Sequence, residues 1–338
     1  MIRSAPGRAS NDERPLDQRG GIKMPASATS AAPDGPHTAV SNMVEEAGPV
    51  QTRSAGPPSQ GSNPNTAPVN DDGTEAVQGH TRTEATAAEL WSPPEVEGLR
   101  DIGEASFGPP PPAAEIVIGP DDRVQITNTV SYPWRVHASL LIKAADNSTW
   151  IGTAWFIGPH TLMTAGHVVY IKNSGVPGRD GWVKSINVMP GRNGSALPYG
   201  SVSSTEFHSV TGWTTQGREQ FDYGAIVIPT DLGNTTGWLS FGVYSDADLV
   251  GSFGNISGYP GDKPAGTQWY DSQAMVSVKP RKVYYQTDTA GGQSGSAVYR
   301  IVSGDRYAVG IHAYGDTAAN SATRITTPVY NNMVAWNT

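Results

Sequence analysis

The sequence predicts an all-β domain, a sandwich or barrel, behind a long leader that is disordered. Three observations carry the expectation. Residues 1–115 hold 16 of the 27 prolines but only two of the 28 aromatic side chains, Trp91 and Phe107. A segment so poor in apolar surface has little to offset its ordering entropy. From residue 116 onward, short runs rich in Val, Ile, Thr, Trp and Tyr alternate with Gly, Pro, Asn and Asp turns, the grain of many short strands. The four prolines at 109–112 form a stiff polyproline spacer between the two regions.

Within the leader, residues 1–80 are Ala, Pro, Gly, Ser, Thr and Asn without hydrophobic period. A weak helix is expected over 83–91, stopped by Pro93 and Pro94. In the domain the strand-like runs are 115–119, 135–143, 153–157, 161–165, 223–228, 254–258, 282–287, 296–301 and 307–314. Only the tail, 328–336, reads as helical, with Pro328 early and Val329, Met333 and Val334 placed to share a face. The leader spans 1–115 and the domain 116–338.

Charge divides along the same line. The leader carries 8 Lys and Arg against 16 Asp and Glu, whereas the rest has 15 of each, so the formal net charge of −8 resides in the leader. An acidic chain without a basic run is repelled by phosphate, which sets nucleic acid aside. The absence of cysteine excludes a disulfide framework, a thiol nucleophile and thiolate metal sites. No apolar run is long enough to span a membrane, and the first 30 residues lack the apolar stretch of a signal peptide.

Three motifs carry chemistry. Gly291-Gly292-Gln293-Ser294-Gly295-Ser296 lies between two strand-like runs. A serine hydroxyl needs a base to take its proton and donors to receive the oxyanion. Glycines around Ser294 allow a tight turn that aims the Gly292 and Ser294 amides at one point; a plain Gly/Ser hairpin loop is the bland alternative. The run Thr164-Ala165-Gly166-His167 ends a strand among small residues, the rigid and uncrowded placement a general base needs, or the setting of a structural histidine. Phe221-Asp222-Tyr223-Gly224 opens an apolar strand with an aspartate. Its charge is costly there unless hydrogen-bonded, and an imidazole supplies that bond; alone it also reads as a turn aspartate. His167, Asp222 and Ser294 occur in that order, 55 and then 72 residues apart. This is the chymotrypsin order, unlike that of subtilisins or α/β-hydrolases.

From residue 115 to the C-terminus the chain resembles the bacterial glutamyl endopeptidases, a branch of the chymotrypsin superfamily. The resemblance rests on Val117-Ile118-Gly119, the Thr-Ala-Gly-His and Phe-Asp-Tyr-Gly motifs, and Ile256-Ser257-Gly258-Tyr259-Pro260-Gly261-Asp262-Lys263. It continues through the run 286–296, Gly310-Ile311-His312 and Thr323-Arg324-Ile325-Thr326. It implies a chymotrypsin-like double β-barrel with a C-terminal helix, and a serine endopeptidase acting on protein or peptide substrates through an acyl-enzyme. Thr289 and His312 match the positions that bind a substrate glutamate carboxylate, and Ala313, Tyr314 and Gly315 match the strand that pairs with the peptide. Gln293 stands where trypsin-like zymogens carry an aspartate, so a trypsin-type ion pair to a new N-terminus cannot form. The family's mature N-terminus aligns with Ile116, which then assists the pocket. Glu115 precedes it, and a glutamate-specific enzyme can cut that bond itself. The resemblance also implies a secreted enzyme, expected to be a monomer without membrane contact. It needs no metal or organic cofactor, with a structural calcium left open. Competing readings are another primary specificity on the same fold, a peptide-binding pseudoprotease, and a leader that serves as an interaction tail.

Overall fold

The computed structural model describes residues 35–43, 68–77, 98–107, 117–118, 120–315 and 319–338. The expected helix at 83–91, the prolines at 109–112, and Glu115 and Ile116 lie outside the described residues.

Two β-barrels of the chymotrypsin type make up the domain. In the first, His137–Lys143 pairs antiparallel with Thr149–Phe156 and with Ser185–Pro190. The sheet continues through Thr161–Thr164, Gly224–Val227 and Glu206–Val210 on one side and Val202–Ser204 on the other. The Ser204 hydroxyl donates to the Val227 carbonyl at 2.5 Å, drawing the ends of the sheet together. Leu140, Ile142, Phe156, Leu162, Ile186, Val188, Phe207 and Ile226 fill the interior. The second barrel is a closed ring of six strands: Phe253–Gly258, Gln268–Val278, Lys282–Tyr285, Asn320–Arg324, Asp305–Gly315 and Ala297–Val302. Closure leaves no free edge within the ring, and Ile256, Met275, Val283, Tyr285, Val298 and Val309 pack inside it.

Thr153, on the first barrel, ties the two together. Its amide donates to the Ser294 carbonyl at 3.0 Å and its hydroxyl to the Gly292 carbonyl at 2.8 Å. The hydroxyl in turn accepts from the Tyr259 amide at 3.1 Å. The loop that carries Ser294 is therefore anchored on the opposite barrel.

The C-terminal helix, Thr327–Trp336, closes against the first barrel through Val329, Met333 and Trp336. Val334, expected on that face, is 40% exposed. Positions 329, 333 and 336 follow the i, i+4, i+7 stripe, and 334 falls off it. Several strands escape a sequence reading, among them Ser185–Pro190, Glu206–Val210 and the 11-residue Gln268–Val278. The last breaks the two-residue alternation of a half-buried strand, with Asp271-Ser272-Gln273 between two short apolar pieces.

Three stretches of the leader, which composition assigns to disorder, pack on the domain. Ala39–Ser41 adds a strand to Glu206–Val210, with Ala39 opposite Val210. Residues 68–77 bring Glu75 into the second barrel's flank, where its carboxylate accepts from Arg306 Nε at 2.6 Å and Nη2 at 2.5 Å, and from the Tyr299 hydroxyl at 3.2 Å. A short helix, Ile102–Phe107, buries Ile102 and Ala105 in the first barrel's core. A few well-placed side chains thus do what average composition cannot show. The Glu75–Arg306 pair is almost wholly buried, and removing one partner of such a pair costs about 3–5 kcal/mol. Glu75→Ala is expected to lower the unfolding free energy by that order, read from denaturant titration. A loss below about 1 kcal/mol would place the pair among the exposed ones.

Candidate active site

His167 follows the strand Thr161–Thr164 on a single helical turn, Gly166–Val169, rather than at a second strand's end. Asp222 lies between the 3-10 turn Glu219–Phe221 and the strand Gly224–Val227. Its carboxylate receives the His167 amide on Oδ1 at 2.8 Å and meets the His167 ring Nδ1 through Oδ2 at 2.7 Å. The Tyr314 hydroxyl donates to the same Oδ2. Both His167 and Asp222 are fully buried. Burial opposes the charged imidazole, but the Asp222 charge and hydrogen bond, reinforced by Asp101, outweigh it and raise the His167 pKa above 6.5.

Ser294 sits on the connection between the strands Lys282–Tyr285 and Ala297–Val302 of the second barrel. Gly292 and Gly295 have φ of +105° and +90°. A Cβ on Gly295 would stand 2.2 Å from the Thr153 carbonyl oxygen, and one on Gly292 2.6 Å from that of Tyr259. No side chain fits at either position. Gln293 is buried and staples the loop, its Oε1 accepting from the Ala290 amide at 3.0 Å.

Behind the serine, Thr289 is buried, and its hydroxyl has no hydrogen-bond partner among the described residues. His312 is buried too, with Nδ1 2.5 Å from the Tyr285 hydroxyl. Burial, followed by the nearby His167 and Lys282, drives its pKa down to about 3, so the ring is neutral. Its carbonyl accepts the Gly295 amide at 2.8 Å, which couples the strand end Ala313–Gly315 to the serine turn. Asp288, next to Thr289, accepts the Ile118 amide at 2.7 Å and the Asp122 amide at 2.9 Å.

A sequence reading did not find what covers the site. The Ser294 hydroxyl donates to Asp101 Oδ2 at 3.3 Å, and Phe107 packs its ring on His167, Tyr314 and Trp213 at 5.6, 5.3 and 5.9 Å. Burial raises the Asp101 pKa, against the pull of His167 and the Gly292 and Gly103 amides. The available signal was Phe107, one of only two aromatics in the leader. Among the described residues no group of three or more His, Asp or Glu side chains is placed to hold a metal ion, and no helix is long and apolar enough to cross a membrane.

The trypsin family matches residues 123–336. A glutamyl endopeptidase from Bacillus licheniformis is 41% identical over 236 residues, covering 67% of this chain and 70% of the relative. The chain belongs to the bacterial glutamyl endopeptidase family. It is a serine endopeptidase of the trypsin class, as the motif order and the resemblance led one to expect. A Bacillus subtilis protein named extracellular metalloprotease is 40% identical over 222 residues, covering 65% of this chain and 69% of its own length. A solved Glu endopeptidase in complex with MPD matches with a TM-score of 0.58 and 30% identity, covering 65% of this chain and 98% of that one.

Proposed function

We propose that this enzyme hydrolyses peptide bonds after glutamate through an acyl-enzyme on Ser294, and that it is made as a zymogen cut between Glu115 and Ile116. The observation that carries the mechanism is the short contact of His167 Nδ1 with a buried Asp222 carboxylate, 2.7 Å. It leaves Nε2 on the far side of the ring for a serine proton. His167 takes the proton of Ser294, Asp222 holds the imidazole in the required tautomer, and the Gly292 and Ser294 amides receive the oxyanion. The same imidazole then protonates the leaving amine and activates water for deacylation. Ala313, Tyr314 and Gly315 pair with the peptide on the acyl side as an added strand.

Glutamate selection is supported by the buried Thr289 hydroxyl and the neutral His312 ring, which can meet a carboxylate without burying a second full charge. The docking of Ile118 on Asp288 supports an N-terminus at Ile116 assisting that pocket. Gln293 cannot make the trypsin-type ion pair, so cleavage acts through the pocket. The kinship with a protein named extracellular supports action outside the cell.

Matched peptides with Glu, Asp, Arg or Phe before the scissile bond test the specificity. Thr289→Val removes one hydrogen bond to a charged group, worth about 1.5–3 kcal/mol. The expected result is a roughly 10- to 150-fold fall in kcat/KM for the Glu peptide, with the Phe peptide unchanged. An equal fall on both peptides would remove Thr289 from the pocket.

A further inference from the structure

We propose that residues 98–107 form a built-in inhibitory plug that threads the cleft against the direction of a substrate, with the Asp101 carboxylate held on the Ser294 hydroxyl. The inference rests on the assignment of Ser294 and Ala313–Gly315 given under the proposed function.

Direction follows from the two ends of the segment. At its N-terminal end, the Arg100 carbonyl accepts the Ile151 amide at 3.0 Å, and Asp101 bridges Ile151 in parallel. Gly98 and Leu99 line a cleft with Ile151, Arg192 and Tyr259 that has none of Ala313–Gly315 in its lining. At its C-terminal end, Phe107 rests on Tyr314 and His167. A substrate lays its N-terminal part along Ala313–Gly315 and its leaving part on the other side of Ser294. The plug lies the other way round. It is also helical from Ile102 to Phe107, so it offers no extended backbone to the strand that would align a scissile bond. Glu104 can therefore lie beside a glutamate-cleaving centre without being a substrate residue.

At the centre a leader carboxylate engages the nucleophile itself. Asp101 Oδ2 accepts the Gly103 amide at 3.0 Å and the Ser294 hydroxyl at 3.3 Å, while the buried Oδ1 has no hydrogen-bond partner among the described residues. Asp101 lies flush on the serine turn, its Cβ 3.1 Å from where a Cβ on Gly291 would stand. Gly103 is packed over the histidine: a Cβ there would be 3.7 Å from His167 Nε2, which has no hydrogen-bond partner among the described residues. The nucleophile's hydroxyl and the base are each engaged or covered by the leader. Ile102 in the core, Glu75 on Arg306 and the added strand Ala39–Ser41 hold the leader by contacts that a cut at Glu115 does not sever. Cleavage there frees Ile116, but the plug has to be removed separately.

The test is the rate at which a fluorophosphonate modifies Ser294 in the full-length chain, made with Glu115→Gln so that the leader stays attached. Asp101→Ala, Phe107→Ala and the double variant are compared in that background, with intact mass and peptide mapping. Phe107 is 42% exposed, so its truncation does not endanger folding. Modification is expected to be slow in the parent and about tenfold or more faster in the double variant, as the competent cleft becomes more populated. Equal and fast labelling of Ser294 in parent and variants would overturn the plug and leave the nucleophile assignment intact. No label on Ser294 in any form would overturn that assignment, and the plug with it.

Discussion

Ser294→Ala, assayed after removal of the leader, is expected to lose essentially all peptidase turnover, about 10⁶-fold in kcat by the precedent of serine nucleophiles. The substitution deletes one oxygen and little else. The turn is held by backbone: Thr153 grips the Ser294 and Gly292 carbonyls, and the two positive-φ glycines set its shape. None of these contacts uses the serine hydroxyl. Folding and the oxyanion donors are therefore retained, and stability should change by less than about 1 kcal/mol. A variant equally stable by thermal melt yet retaining a tenth of the activity would mean that Ser294 is not the nucleophile. Residual hydrolysis at a rate about 10³–10⁴ above water is compatible with the assignment, because the oxyanion hole and binding remain.

Asp222→Asn should cost about 10⁴ in kcat with the fold preserved. The carboxylate serves three donors at once: the His167 amide, the His167 ring and the Tyr314 hydroxyl. An amide has one oxygen and one NH2. Whichever way it turns, one former donor faces another donor, and the imidazole is pushed toward the tautomer that cannot accept the serine proton. The pH profile carries a second sign. Asp222 is the principal group raising the His167 pKa above 6.5, and only the neutral ring is a base. Activity of the wild type therefore falls as pH drops through that raised value. In Asp222→Asn the raising charge is gone, so the acid limb of the residual activity should move to lower pH. Steady-state kinetics from pH 4 to 9 read both effects. An acid limb that stays in place would break the link between Asp222 and the base.

Much of the site was readable from three short motifs because each has a local requirement. Gly292 and Gly295 are demanded by positive φ and by neighbours that admit no Cβ. The small residues before His167 are demanded too, since a Cβ on Gly166 would lie 2.9 Å from Asp222 Oδ1. Such constraints leave their mark on adjacent letters. The role of Tyr314 was only half legible: its place beside the peptide-binding strand came from resemblance, while its hydroxyl on Asp222 depends on a register shift between His312 and Tyr314. Gln268–Val278 was missed because a strand paired with Phe253–Gly258 on one side and Lys282–Tyr285 on the other is held by backbone partners, and periodicity reads only side chains.

The sequence alone determined an all-β domain, a sandwich or barrel, and the order His167, Asp222, Ser294. The double barrel and the exclusion of a trypsin-type ion pair at Gln293 came from the resemblance carried by the motifs. Only the tertiary structure decided that the acidic leader is partly packed, and where. Glu75 meets Arg306 across 231 residues and Asp101 meets Ser294 across 193. Contacts of that separation leave no local pattern, since a single aspartate in polar text looks the same in water as against a buried serine. The difference is burial, and burial is a property of the folded chain.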